Sequence, residues 1–184
     1  MSANNFFRCI TMLCIILCSS CAIRPSSTVD QMRSPDFVPL SIHMEAKRYD
    51  QALVTIKQLQ NKFPDNAAVY VNYAIIFRQQ KKHDEARQML VKALTLSNDN
   101  PAANNLLGIM DRESGDFKGA LTAYKRALSN HPEYALAHFN IGILYDIYLQ
   151  DSHLAQKHFQ RYQTLTGQTD KQVSGWLADI KRRK

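Results

Sequence analysis

The sequence predicts an all-α protein: a solenoid of about four helical hairpins closed by a C-terminal capping helix. Three observations predict it. Residues of like character recur every 34 positions, and within each period apolar side chains fall at helical intervals. All four cysteines, Cys9, Cys14, Cys18 and Cys21, precede the periodic region, so the repeats carry neither a disulfide nor a thiolate metal site.

At 184 residues the chain has room for one modest domain plus a tail. Its composition, 45% hydrophobic and 21% charged with only six Gly and six Pro, is that of an ordered globular protein rather than a low-complexity one.

The N-terminal segment is read separately. Arg8 is followed by an apolar run from Cys9 to Cys18, the length of a signal-peptide core and short of the roughly 20 apolar residues a membrane span needs. Leu17-Cys18-Ser19-Ser20-Cys21 resembles the lipobox of bacterial lipoproteins, with Cys18 standing where that family usually has Leu. The resemblance implies removal of residues 1–20, a diacylglyceryl group on the Cys21 thiol and a further acyl chain such as palmitate on its amine. Several chains, each burying methylenes at about 0.8 kcal/mol apiece, make a stable anchor. Ala22, rather than Asp, follows the cysteine, which by the same resemblance implies the outer membrane, facing the periplasm. Residues 21–38, punctuated by Ser and by Pro25 and Pro35 and without helical period, read as a tether.

Past the tether, four units are expected at about 39–66, 67–100, 101–134 and 135–168. Ala52, Ala86 and Ala120 are 34 apart, as are Tyr73-Ala74, Leu107-Gly108 and Ile141-Gly142, then Tyr49, His83 and Phe117, then Pro64, Asn98 and Pro132. Ala155 and Phe159 follow Ala120 and Tyr124 by 35, which predicts one extra residue in the turn near 150–152. Within the third unit Phe117, Ala120, Leu121, Tyr124, Ala127 and Leu128 share one helix face. Gly115 can end the preceding helix at positive φ and Asp116 can cap the next. Pro35 and Pro39 shorten the first leading helix, and Lys81 replaces the turn glycine in the second unit. Residues 169–184 place Val173, Trp176, Leu177 and Ile180 on one side, as a helix covering the last repeat requires.

Leu107-Gly108, Gly115-Asp116-Phe117, Ala120, Tyr124, Ala127 and Pro132 together resemble the tetratricopeptide repeat. The resemblance implies protein binding. A short lipoprotein of this layout is also similar to the pilotin-like proteins of type IV pilus and secretion systems, which implies a scaffold assisting assembly of an envelope machine. An adaptor that recruits peptidoglycan-remodelling enzymes is the alternative.

Catalysis is not expected. The sequence holds no HExxH, no phosphate-binding glycine loop and no G-x-S-x-G, so neither metal, cofactor nor small-molecule substrate is anticipated. His153 and His158, five apart on one helix, face different ways. An enzyme with a site assembled from scattered His and Asp residues is the rival reading. The net charge of +7 is read as basic residues interleaved with acidic ones along the helices, which does not favour nucleic acid. Lys181 to Lys184 complement a helix C-terminus or touch anionic headgroups.

In stacked helix pairs the leading helices line the inner side, and spacing selects a candidate groove. One row is Ile75, Ile109 and Ile143; a turn earlier stand Val71, Asn105 and Phe139; a turn later Arg78, Arg112 and Asp146. The expected ligand is an amphipathic helix or extended peptide with apolar anchors. Asn72 and Asn140 match the asparagines of chaperone-binding repeat domains, which by that resemblance grip a terminal carboxylate, but the accompanying lysines are missing. Cys21→Ser should release the full chain from the membrane fraction; salt-resistant membrane attachment of that variant would count against acyl anchoring.

Overall fold

The computed structural model describes residues 35–167 and 170–183. The segments expected to be signal peptide and tether, with Cys21, lie outside the described residues up to residue 34. Nine α-helices and no strand occur among the described residues. They are α1 (Val38–Glu45), α2 (Tyr49–Lys62), α3 (Ala67–Gln79), α4 (His83–Leu96), α5 (Pro101–Glu113), α6 (Phe117–Ser129), α7 (Ala135–Ile143), α8 (Ser152–Thr166) and α9 (Lys171–Arg182). None is long and apolar enough to cross a membrane. Consecutive helices pair as α1/α2, α3/α4, α5/α6 and α7/α8, each pair packs on the next, and α9 covers α8.

Five of the helices, α3, α5, α6, α8 and α9, begin where a side chain satisfies free backbone N–H groups. Asn66, Asn100, Asp116, Asp151 and Asp170 all accept such bonds, at 2.8 Å from Gly119 N to Asp116 and 2.9 Å from Leu154 N to Asp151. Side-chain caps of this kind stabilise a helix by about 1 kcal/mol. The repeating alanines Ala52, Ala86, Ala120 and Ala155 are 0% exposed, each sealed between the two helices of its hairpin and their neighbours.

The closest approach within a hairpin sets a glycine against a ring. A Cβ on Gly108 would lie 2.5 Å from Tyr124 Cε1, and one on Gly142 2.5 Å from Phe159 Cδ1, so neither position has room for a methyl group. The counterparts one repeat earlier are Ala74 and Leu90, buried in the same core cluster, where a smaller opposing side chain leaves space for the alanine.

The four hairpin turns share a left-handed residue although only one of them uses glycine. Lys47 (φ 53°), Lys81 (φ 61°), Gly115 (φ 86°) and Gln150 (φ 54°), spaced by 34, 34 and 35 residues, all sit in the left-handed region. In the first three turns the next residue donates its N–H to the carbonyl five positions back: Arg48 to His43 at 2.8 Å, Lys82 to Phe77 at 2.9 Å and Asp116 to Asp111 at 2.8 Å. Satisfying those carbonyls offsets the strain of a left-handed non-glycine residue.

The extra residue of the fourth unit is not in the turn, contrary to the sequence expectation. It is absorbed just before it, where Leu144–Tyr148 winds as a π-helical turn and Leu149 N bonds Leu144 O at 3.0 Å. The turn itself keeps the left-handed residue that reverses the chain, so the helix widens instead. Ile147, Tyr148 and Leu149 are exposed as a result, with the Tyr148 ring resting on Phe117.

The fold begins inside the stretch read as tether. Pro35–Phe37 forms a 3-10 turn, Phe37 is buried with its ring stacked 6.4 Å from that of Phe63, and Asp36 pairs with Lys62 at 2.6 Å. Pro39 occupies the first turn of α1, which needs no N–H there, and the helix runs for only eight residues against thirteen in α3.

Two substitutions test this account. Lys81→Gly should stabilise the domain by about 1 kcal/mol, raising its melting temperature by about 2–4 °C, because glycine adopts the left-handed turn without penalty. Gly108→Ala should destabilise it by about 1–3 kcal/mol by driving a methyl group into the Tyr124 ring. Thermal unfolding measures both, and an unchanged melting temperature in Gly108→Ala would contradict the interlock.

Candidate functional site

The leading helices α3, α5 and α7 touch one another in sequence along one side of the stack. Polar bonds between units stitch them together. Arg78 forms a two-pronged pair with Glu113, its Nε 3.0 Å from Oε2, and Asn140 Nδ2 donates to Asn105 Oδ1 at 2.9 Å in a buried setting. The Arg78 hydrogen bond holds the Glu113 carboxyl below its usual range.

These bonds decide what each residue of the predicted groove can offer. Ile75, Ile109 and Ile143 form a half-buried row. Val71 is 1% exposed and belongs to the core, so it presents no side chain to a partner. Asn105 is also buried and spent on Asn140. Of the charged margin, Arg78 is committed to Glu113, and Arg112 lies over the Tyr148 ring with its Nε 3.5 Å from the Tyr124 hydroxyl. Asp146 accepts from Arg183 at 2.8 Å.

The C-terminal end of the row is closed by α9. Trp176 stacks on Phe139 at 5.9 Å between centroids and on Phe159 at 5.3 Å, and Tyr162 completes the cluster 5.1 Å from Phe139. Ile143 packs against the same group. Phe139 and Ile143 thus seat the capping helix, and the accessible strip runs from Ile109 through Ile75 toward α1.

At the opposite end the short α1 leaves a cleft that the sequence reading missed. It measures about 300 Å³ and is lined by Phe37, Leu40, Ser41, Met44, Glu45 and Asn72. The signal was present in Pro39, which truncates the helix, but the sequence did not reveal that the truncation opens a hollow beside Asn72. The Asn72 amide donates to Ala68 O at 2.9 Å, and its carbonyl oxygen has no hydrogen-bond partner among the described residues.

Charge is unevenly spread, which corrects the interleaved reading. Acidic residues fall in the first turns of α2 and α4, whereas α6 and α8 contain none; Lys118, Lys125, Arg126, Lys157 and Arg161 are exposed on these two helices. His153 and His158 point apart as expected, but His158 meets His138 of α7, with their Nδ1 atoms 3.0 Å apart.

Models of the tetratricopeptide repeat match residues 43–109 and 108–146, together more than half of the chain. The chain belongs to the tetratricopeptide-repeat family. No curated protein matches it in sequence. Among solved structures it is similar to that of Pseudomonas aeruginosa pilF, with a TM-score of 0.72 at 18% identity over 84% of this chain and 69% of that one. MamA is similar at 0.57 and 16% identity, over 84% and 86% of the two chains. The first repeat domain of Spaghetti (RPAP3), bound to the HSP90 peptide SRMEEVD, is similar at 0.58 and 20% identity, over 64% and 91%. At these identities the likeness is one of fold, that of a stacked tetratricopeptide-repeat scaffold.

Proposed function

We propose that this repeat protein is a lipid-anchored scaffold on the periplasmic side of the outer membrane that assists assembly of an envelope machine such as a type IV pilus or secretion system, without catalysing a reaction. The observation that carries the binding reading is the strip from Ile109 through Ile75 to the cleft at Leu40 and Met44. Ile109, Ile75 and Met44 are half-buried, Leu40 is the buried floor of the cleft, and no helix covers them among the described residues, while Arg78, Glu113 and Asn105 beside them are used up within the chain. Such a surface recognises apolar anchors of a helix or extended segment rather than charge.

An acidic C-terminal peptide like that held by the RPAP3 domain fits poorly. Asn140, one of the two asparagines suited to a terminal carboxylate, is 7% exposed and bonded to Asn105. The lipobox-like Leu17 to Cys21 supports the membrane placement, and the pilF fold likeness supports the choice of machine over an adaptor for peptidoglycan enzymes. The absence of HExxH, G-x-S-x-G and phosphate-loop motifs supports a non-enzymatic role.

The test is capture from detergent extracts with the full-length protein, followed by mass spectrometry. A secretin or pilus subunit is the expected partner, and Ile109→Asp should reduce its recovery at least tenfold while leaving helical content intact. Recovery of a peptidoglycan hydrolase instead would favour the adaptor, and undiminished capture by Ile109→Asp would remove the strip from consideration.

A further inference from the structure

The hairpin of α7 and α8 brings together two imidazoles that play no part in the groove. His138 and His158 are both half-buried, their rings 5.1 Å apart between centroids and their Nδ1 atoms 3.0 Å apart. His138 Nε2 lies 3.1 Å from the Pro132 carbonyl oxygen. A carbonyl only accepts, so Nε2 carries the hydrogen and Nδ1 of the neutral ring keeps its lone pair. A backbone carbonyl on the far nitrogen is also the support that orients histidines which ligate metals.

We propose that His138 and His158 form a two-histidine site for a divalent transition metal that favours imidazole, copper(II) or nickel(II) ahead of zinc. Without metal, His158 Nδ1–H donates to His138 Nδ1. With metal, the His158 proton moves through solvent from Nδ1 to Nε2, both rings stay neutral, and two lone pairs face the ion. Metal–nitrogen bonds of about 2.0–2.1 Å separate ligands at right angles by about 2.9 Å and tetrahedral ligands by about 3.4 Å. The 3.0 Å hydrogen bond holds the two nitrogens at a separation that right-angled coordination by copper(II) or nickel(II) would keep once the proton between them has left. No third His, Cys, Asp or Glu joins the pair among the described residues, which leaves the remaining positions to water.

Proton competition is weak at this site. Burial first, then His138 and the charges of Lys157 and Lys125, push the His158 imidazole down to about 4, so the ring is neutral near pH 7. Burial also lowers His138, with Arg161 adding to the effect. The same three cations repel a bound ion. The site is consequently one of modest affinity, strengthened by salt, which screens them.

The experiment titrates copper(II) into the full chain in detergent, its cysteines alkylated, and reads electron spin echo modulation together with affinity. Two equatorial imidazole nitrogens are expected in the wild type, and fewer than two overturns the site whatever the variants do. His138→Gln and His158→Gln should each weaken binding at least tenfold and leave one nitrogen, while His153→Gln, five residues from His158, leaves both unchanged. Lys125→Gln should tighten binding at least twofold, and a purely structural pair of histidines would not respond to it. Wild-type affinity in either paired-histidine variant, or loss in His153→Gln instead, overturns the assignment.

Discussion

Everything in this molecule depends on how closely the two helices of a hairpin approach. Gly108 against Tyr124 and Gly142 against Phe159 bring backbone to ring with no space for a methyl group, and the buried alanines 52, 86, 120 and 155 allow the neighbouring surfaces to close in the same way. Dispersion at that separation is weak per atom and large in sum. Because each unit closes alike, the next one stacks in nearly the same orientation, and the leading helices fall into a row. The groove follows from the interlock.

Within the row, polar residues bind the units to each other more than they address a ligand. The Arg78–Glu113 pair and the Asn105–Asn140 bond each cross from one unit to the next. Arg183 of the capping helix reaches back to Asp146. A buried or half-buried polar group must be satisfied, and here the satisfaction comes from inside the chain. What faces outward is apolar, from Ile109 and Ile75 to the cleft beside the shortened α1. The two ends differ for a physical reason: α9 supplies an aromatic cover at one, and Pro39 cuts the leading helix short at the other.

The fourth unit carries the irregularities. Its extra residue widens the end of α7 into a π-helical turn while the following turn keeps the left-handed residue of the other three. The hairpin also places His138 beside His158 and lies next to α6, which like α8 has no acidic residue. The electrostatic character of the stack thus changes along its length, from mixed charge on α2 and α4 to unopposed cations on α6 and α8.

The repeat period, the helical faces, the capping residues and the covering helix were legible in the sequence because each is a local property. Ala120 and Tyr124 share a helix face in any structure that forms the helix, and Gly115 followed by Asp116 announces a turn wherever it occurs. Lys47, Lys81 and Gln150 show the limit of that reading, since only their spacing, not their chemistry, marks the same left-handed position. Which groove residues stay accessible was decided by tertiary contact. Val71 and Asn105 lie on the predicted stripe yet are enclosed by the adjacent unit, and Phe139 is covered by Trp176, because a side chain's exposure depends on what stacks against it. The meeting of His138 with His158 is of the same kind: twenty residues separate them along the chain, and only the closing of the hairpin makes them neighbours.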